Sequence, residues 1–68
     1  MKLKVFFDRL NEKKEIEIEE NINVKQLLEK LGINPVEVVV VKNGKIVVEG
    51  EKLKDGDELK LISVVSGG

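Results

Sequence analysis

Glu15-Ile16-Glu17-Ile18-Glu19-Glu20-Asn21-Ile22-Asn23-Val24-Lys25-Gln26-Leu27-Leu28-Glu29-Lys30-Leu31-Gly32 changes its hydrophobic period half-way along. From Glu15 to Glu19 apolar and acidic residues alternate strictly, the signature of a strand with one buried face. From Asn23 onward Val24, Leu27, Leu28 and Leu31 recur at i, i+3, i+4 and i+7, the apolar stripe of a short amphipathic helix over residues 24–31. Its ends are marked. Asn23 can accept from the first turn while Gln26 reaches back as in a capping box, and Gly32 suits the left-handed position that closes the last turn. The glutamates at 15, 17 and 19 read as a solvated strand face, because regular alternation spaces carboxylates instead of converging them on a cation.

Upstream, Lys2 to Asp8 also alternates, with Leu3, Val5 and Phe7 on one face and Phe6 on the other. Asn11 to Lys14 is polar turn material, so the two strands form a hairpin. Downstream, Asn34-Pro35 forbids continuation of the helix, and residues 36–48 hold two apolar runs joined by Asn43-Gly44. That dipeptide predicts a two-residue type I′ hairpin in which Lys42 faces Lys45 and Val41 faces Ile46. In Leu53-Lys54-Asp55-Gly56-Asp57-Glu58, Asp55 is expected to bond the turn's own backbone while Gly56 supplies permissive dihedrals. Turn capping explains Asp55 and Asp57 better than a magnesium ion does. A last strand alternates from Leu59, its clean amphipathicity suiting a central place, although periodicity leaves the strand order open. A hairpin, one crossing helix and further strands imply an α+β architecture, a mixed sheet of four to five strands packed on one helix. Residues 1–65 are expected to form a single domain and Ser66-Gly67-Gly68 a flexible tail.

The side-chain inventory restricts function. In 68 residues, 41% of them apolar, there is no His, Cys, Trp or Tyr, and only two Ser and one Arg. A thiol or hydroxyl nucleophile with its base, a zinc site and a disulfide framework all lack their parts. Twelve basic and thirteen acidic residues leave a net charge of −1, without the clustered basic face that nucleic-acid binding demands. The longest apolar run, Val38 to Val41, is far too short to span a membrane, and no signal-peptide core opens the chain, so a cytoplasmic location and no membrane partner are expected. Enrichment in Lys and Glu with no Cys is the composition associated with hyperthermophiles. Nothing calls for an obligate oligomer, and the expectation is a monomer.

With no catalytic constellation in the side chains, the ending is the part that has a structural cost and no structural purpose. Gly67 and Gly68 have nothing to pack and the greatest backbone freedom. They follow the last strand almost directly, and a narrow tip free of Cβ atoms suits a peptide that threads an enzyme channel and presents its own α-carboxylate to a bound nucleotide. The strand-strand-helix opening, the Asn43-Gly44 hairpin, the Leu53 to Leu59 turn-to-strand segment and the Val65-Ser66-Gly67-Gly68 ending together resemble the ubiquitin-like β-grasp proteins. The branch most resembled comprises the ThiS/MoaD-like sulfur carriers of thiamin and molybdopterin synthesis and the small archaeal modifier proteins. The resemblance implies a β-grasp sheet wrapped on the helix. It also implies an E1-like enzyme that uses ATP to adenylate the Gly68 carboxylate, with Gly67 giving clearance in the channel. Conversion to a thiocarboxylate would serve cofactor biosynthesis or tRNA thiolation, with a sulfur-accepting synthase or tRNA-thiolating enzyme as the next partner. Attack by target-protein lysines would instead make a modifier. On this reading the protein is a carrier and not an enzyme, it binds no cofactor itself, and ATP belongs to the activating partner.

Parity proposes where such partners dock. If Leu59, Leu61, Val38 and Val40 face the core, then Val39, Val41 and Ile62 face outward, and together with Val64 they form an exposed apolar patch beside the tail. A β-grasp interaction module with an inert tail is the alternative from a different functional class.

Overall fold

The computed structural model describes residues 1–64. Five strands, β1 (Lys2–Phe7), β2 (Glu12–Glu17), β3 (Val38–Lys42), β4 (Lys45–Val47) and β5 (Glu58–Ser63), form one sheet in the order β2-β1-β5-β3-β4. All neighbours are antiparallel except β1 and β5, which run parallel at the centre. A single helix, α1 (Val24–Leu31), crosses between the first hairpin and the second, as a parallel central pair requires. This is the expected mixed α+β sheet on one helix, and β5 takes the middle position.

The helix ends match their sequence signals. Asn23 accepts from the Gln26 N–H at 2.9 Å, and the Gln26 side chain accepts from the Asn23 N–H at 2.9 Å. Two further orphan N–H groups of the first turn, those of Val24 and Lys25, donate to the carbonyls of Glu51 and Glu49 at 2.9 and 3.0 Å. The chain after β4 is therefore pinned across the helix start. At the other end Gly32 adopts φ 72° and Ile33 N–H donates to the Leu28 carbonyl, closing the helix.

The core lies between the helix and the inner sheet face. Leu27, Leu28 and Val24 of α1 pack on Leu3 and Val5 of β1, Leu59 and Leu61 of β5, and Val40 of β3, with Ile18, Ile22 and Leu53 closing the rim. Each fully buried aliphatic side chain contributes roughly 1.5–3 kcal/mol, and in a chain without cysteine this layer has no disulfide to brace it.

Two local expectations change. Residues 12–14 are strand, not turn, because β1 pairs through all six of its residues, from Lys2 with Glu17 to Phe7 with Glu12. The turn is a tighter 3-10 segment, Asp8–Leu10, closed by Asn11 at φ 51°. Asp55 does not bond its own turn. It reaches across to accept from the Lys2 N–H at 2.6 Å, and Asp57 closes the turn instead, accepting from the Lys54 N–H at 2.7 Å. The other Asp57 oxygen accepts from Asn43 Nδ2 at 3.0 Å, and Asn43 Oδ1 accepts from the Glu58 N–H at 2.9 Å. The type I′ tip has φ 50° at Asn43 and 86° at Gly44, and it stands in the predicted register, with Lys42 opposite Lys45. That like-charged pair is relieved because Lys42 Nζ turns to Glu51 at 2.6 Å.

Asp57→Ala leaves a backbone N–H and an amide without partners and should cost about 3 kcal/mol in denaturant unfolding, against about 1 kcal/mol for the exposed Asp55→Ala. The hydrogen bond from Lys42 to Glu51 raises the Lys42 pKa above the ordinary 10.5. A raised folded-state pKa gives stability that is complete below the unfolded value and lost as pH rises through the folded one. Lys42→Met should therefore flatten the alkaline fall in stability above pH 10.5 seen in pH-dependent thermal melts, leaving the curve below that pH parallel to the parent's.

Candidate functional site

The site is built where β5 delivers the chain to the end of the sheet. Ser63 pairs with Val38, and Val64 N–H donates to the Glu37 carbonyl at 2.8 Å, so the backbone is held up to that point. Beside the exit, Leu10, Ile33, Glu37, Val38, Leu61 and Val64 line a concave surface between the first hairpin and the loop that follows α1. Gly67 and Gly68, expected to carry the chemistry and its clearance, lie with Val65 and Ser66 outside the described residues.

The outer sheet face is apolar where parity predicts. Ile62 stands opposite Val39 in the β3–β5 ladder, and Val41, two residues along β3, stands opposite Lys60 on one side and Ile46 on the other. Lys60 is in turn opposite Phe6, with its Nζ 5.6 Å from the ring centroid, so the ammonium leans over the aromatic face. Val39, Val41 and Ile62 are half-buried and not exposed as expected, since paired branched side chains on a sheet shield one another. Val64 is 44% exposed and lies two residues beyond Ile62 on the same strand path.

Two further exposed apolar residues border the site without having been expected there, Ile46 on the outer face and Leu10 on the concave side. Ile46, 76% exposed, adjoins Val41 across the hairpin, and the predicted register already put the two together. Leu10, 60% exposed, projects from the 3-10 turn beside the tail exit, and no period marked it. Among the described residues no three acidic side chains converge to hold a metal ion, and the buried carboxylate of Asp57 is committed to the turn. No helix is long and apolar enough to cross a membrane among these residues.

An apolar outer face, a strand leading to a glycine ending and a parallel central pair form a combination to compare with known proteins. Residues 5–68 match the model of the ThiS family. The chain belongs to the ThiS family. It is 37% identical over 60 residues to the sulfur carrier protein TtuB of Thermus thermophilus, an alignment covering 88% of this chain and 92% of that one. Among solved structures, the thiamine biosynthesis protein ThiS of Geobacter metallireducens superposes with a TM-score of 0.72 at 26% identity, and SAMP1 of Haloferax volcanii with 0.74 at 22%. Both superpositions cover all of each chain. The second likeness is one of fold alone. The ubiquitin-like β-grasp architecture implied by the sequence resemblance is thus the architecture of this ThiS-family chain.

The two faces of β5 should respond unequally to charge. Ile62→Asp, on the half-buried outer face, should cost about 1 kcal/mol in urea unfolding and leave a cooperative transition. Leu61→Asp, one residue away in the core, should cost more than about 4 kcal/mol and abolish it.

Proposed function

We propose that this ThiS-family chain is a sulfur carrier that acts as a substrate of other enzymes, its reactive group being the main-chain carboxylate of Gly68. The observation that carries the reading is the span of the family match, which runs to residue 68 and so includes Gly67-Gly68. The 37% identity to a protein named as a sulfur carrier supports it. So does the side-chain inventory, which holds no thiol and no imidazole.

In this proposal an E1-like enzyme binds ATP, and a Gly68 carboxylate oxygen attacks the α-phosphorus. A P–O bond forms, pyrophosphate leaves, and the product is an acyl-adenylate. Hydrosulfide released by a sulfur donor then attacks the acyl carbon and loses its proton to water. The C–S bond forms, AMP departs with the C–O electron pair, and a thiocarboxylate remains. This chain contributes no cofactor and no proton-transfer group. It contributes a fixed exit at Val64, tied to Glu37, and a glycine at 67 that admits a narrow channel. Val39, Val41, Ile62 and Val64 supply the docking face for the activating enzyme, an apolar surface that gains by losing water against a complementary one. The sulfur then passes to an accepting synthase or a tRNA-thiolating enzyme.

Intact-mass spectrometry after incubation with the host's activating enzyme, ATP and a sulfur donor should show one oxygen replaced by sulfur, and deletion of Gly67-Gly68 should abolish the change. Val41→Asp should slow it about tenfold with the fold retained. Mass ladders on other proteins, without a thiocarboxylate, would make the chain a lysine-conjugated modifier. No change with any cognate activating enzyme, together with full function of the deletion variant, would leave an interaction module with an inert tail.

A further inference from the structure

The two edges of the sheet are guarded differently. β2 presents Glu12, Lys13, Lys14, Glu15 and Glu17 along its six residues, a charged edge of the kind that resists pairing. β4 has only Lys45 before Ile46 and Val47, and the chain continues through Val48 to Glu49. Ile46 and Val48 are 76% and 75% exposed, and neither Lys45 nor Glu49 has an ion-pair partner among the described residues.

Register makes this edge self-complementary. Because the Asn43-Gly44 loop has two residues, Lys42 and Lys45 are the hydrogen-bonded pair that closes the hairpin, and bonding alternates from there. Val47 therefore points its N–H and C=O at β3, while Ile46 and the N–H of Val48 turn outward. The Val48 carbonyl already accepts from Glu51 N–H at 3.0 Å, which leaves its second lone pair. Laid antiparallel on its own copy with Val47 at the two-fold axis, the segment places Lys45 opposite the second copy's Glu49 and Ile46 opposite the second copy's Val48. Opposite charges then meet opposite charges, apolar side chains meet apolar side chains, and the outward amides face each other in the hydrogen-bonded arrangement.

We propose that the β4 edge is a self-association surface whose occupant is a second copy of this chain, giving a two-fold dimer with a continuous ten-stranded sheet. The axis stands perpendicular to the sheet, so the outer faces of both copies lie on one side. β4 runs parallel to β5, so the two β5 ends point in opposite directions. Association through this edge therefore leaves the Ile62–Val39 pair and the exit at Val64 uncovered and takes only the Ile46 margin of the outer face, and the self-association itself does not rest on the carrier reading. The interface is small, so the dimer is weak and concentration-dependent.

Sedimentation equilibrium on the full chain from roughly 20 μM to 2 mM should show a monomer–dimer equilibrium. Lys45→Glu places like charges at both ends of the interface and should weaken association about tenfold, and Lys45→Glu with Glu49→Lys should restore it to within about threefold of the parent. Ile46→Lys should give monomer throughout. All three positions are exposed, and far-UV circular dichroism should confirm the parent fold in each variant. A monomeric mass over the whole range overturns the proposal, as does association indifferent to Lys45→Glu and Ile46→Lys, or a double variant that is not restored. Capture of an unrelated extended peptide on β4 by a chain that stays monomeric overturns it too.

Discussion

The carboxylate of Asp57 is the one charged side chain buried among the described residues, and both of its oxygens are engaged, one by the Lys54 N–H and the other by Asn43 Nδ2. A buried carboxylate is tolerated only when so satisfied, and the groups that satisfy it come from two turns far apart in sequence. Around it, Asn43 N–H donates to the Glu58 carbonyl, Gly56 N–H to the Lys2 carbonyl, and Lys4 N–H to the Asp57 carbonyl. The second hairpin, the start of β5 and the start of β1 are thereby locked at one point. Because β1 and β5 are parallel, no hairpin turn can set their mutual register, and this junction performs that task.

The junction also sets the position of the exit. With β5 fixed between β1 and β3, its far end emerges at the opposite side of the sheet, with Val64 tied to Glu37. The apolar outer face and the concave surface by Leu10 and Ile33 flank that exit on either side of the sheet plane. The turn chemistry at one end of the molecule thus sets the geometry of the exit end, more than about 10 Å away along a six-residue strand. The outer face and the chain at Val64 are thereby held at a fixed separation.

The chain also separates the work of its surfaces. The inner sheet face is given to α1, the outer face carries branched apolar residues with the Phe6–Lys60 contact, β2 is charged along its length, and β4 is nearly bare. Only the helix start is fully occupied from within. The carbonyls of Glu49 and Glu51 and the Asn23–Gln26 box take its free N–H groups, so it offers no anion site.

Local order was legible in the sequence because it depends on neighbours in the chain. The period change between Glu19 and Asn23, the capping box, Gly32 and the Asn43-Gly44 register all rest on backbone dihedrals and side-chain spacing within a few residues. Parity likewise separates Leu59 and Leu61 from Ile62. Sequence alone assigns to Asp55 the bond that Asp57 makes, begins β2 three residues late, and takes Val39, Val41 and Ile62 as more exposed than they are. Each of these depends on a partner brought by folding: Asn43 for Asp57, the whole of β1 for β2, and the neighbouring strands for the outer valines. The residues by themselves determined the elements, the faces and the absence of any thiol or imidazole. Tertiary structure decided the strand order, the parallel pairing and the contents of the junction, because those are set by contacts between segments that no local period encodes.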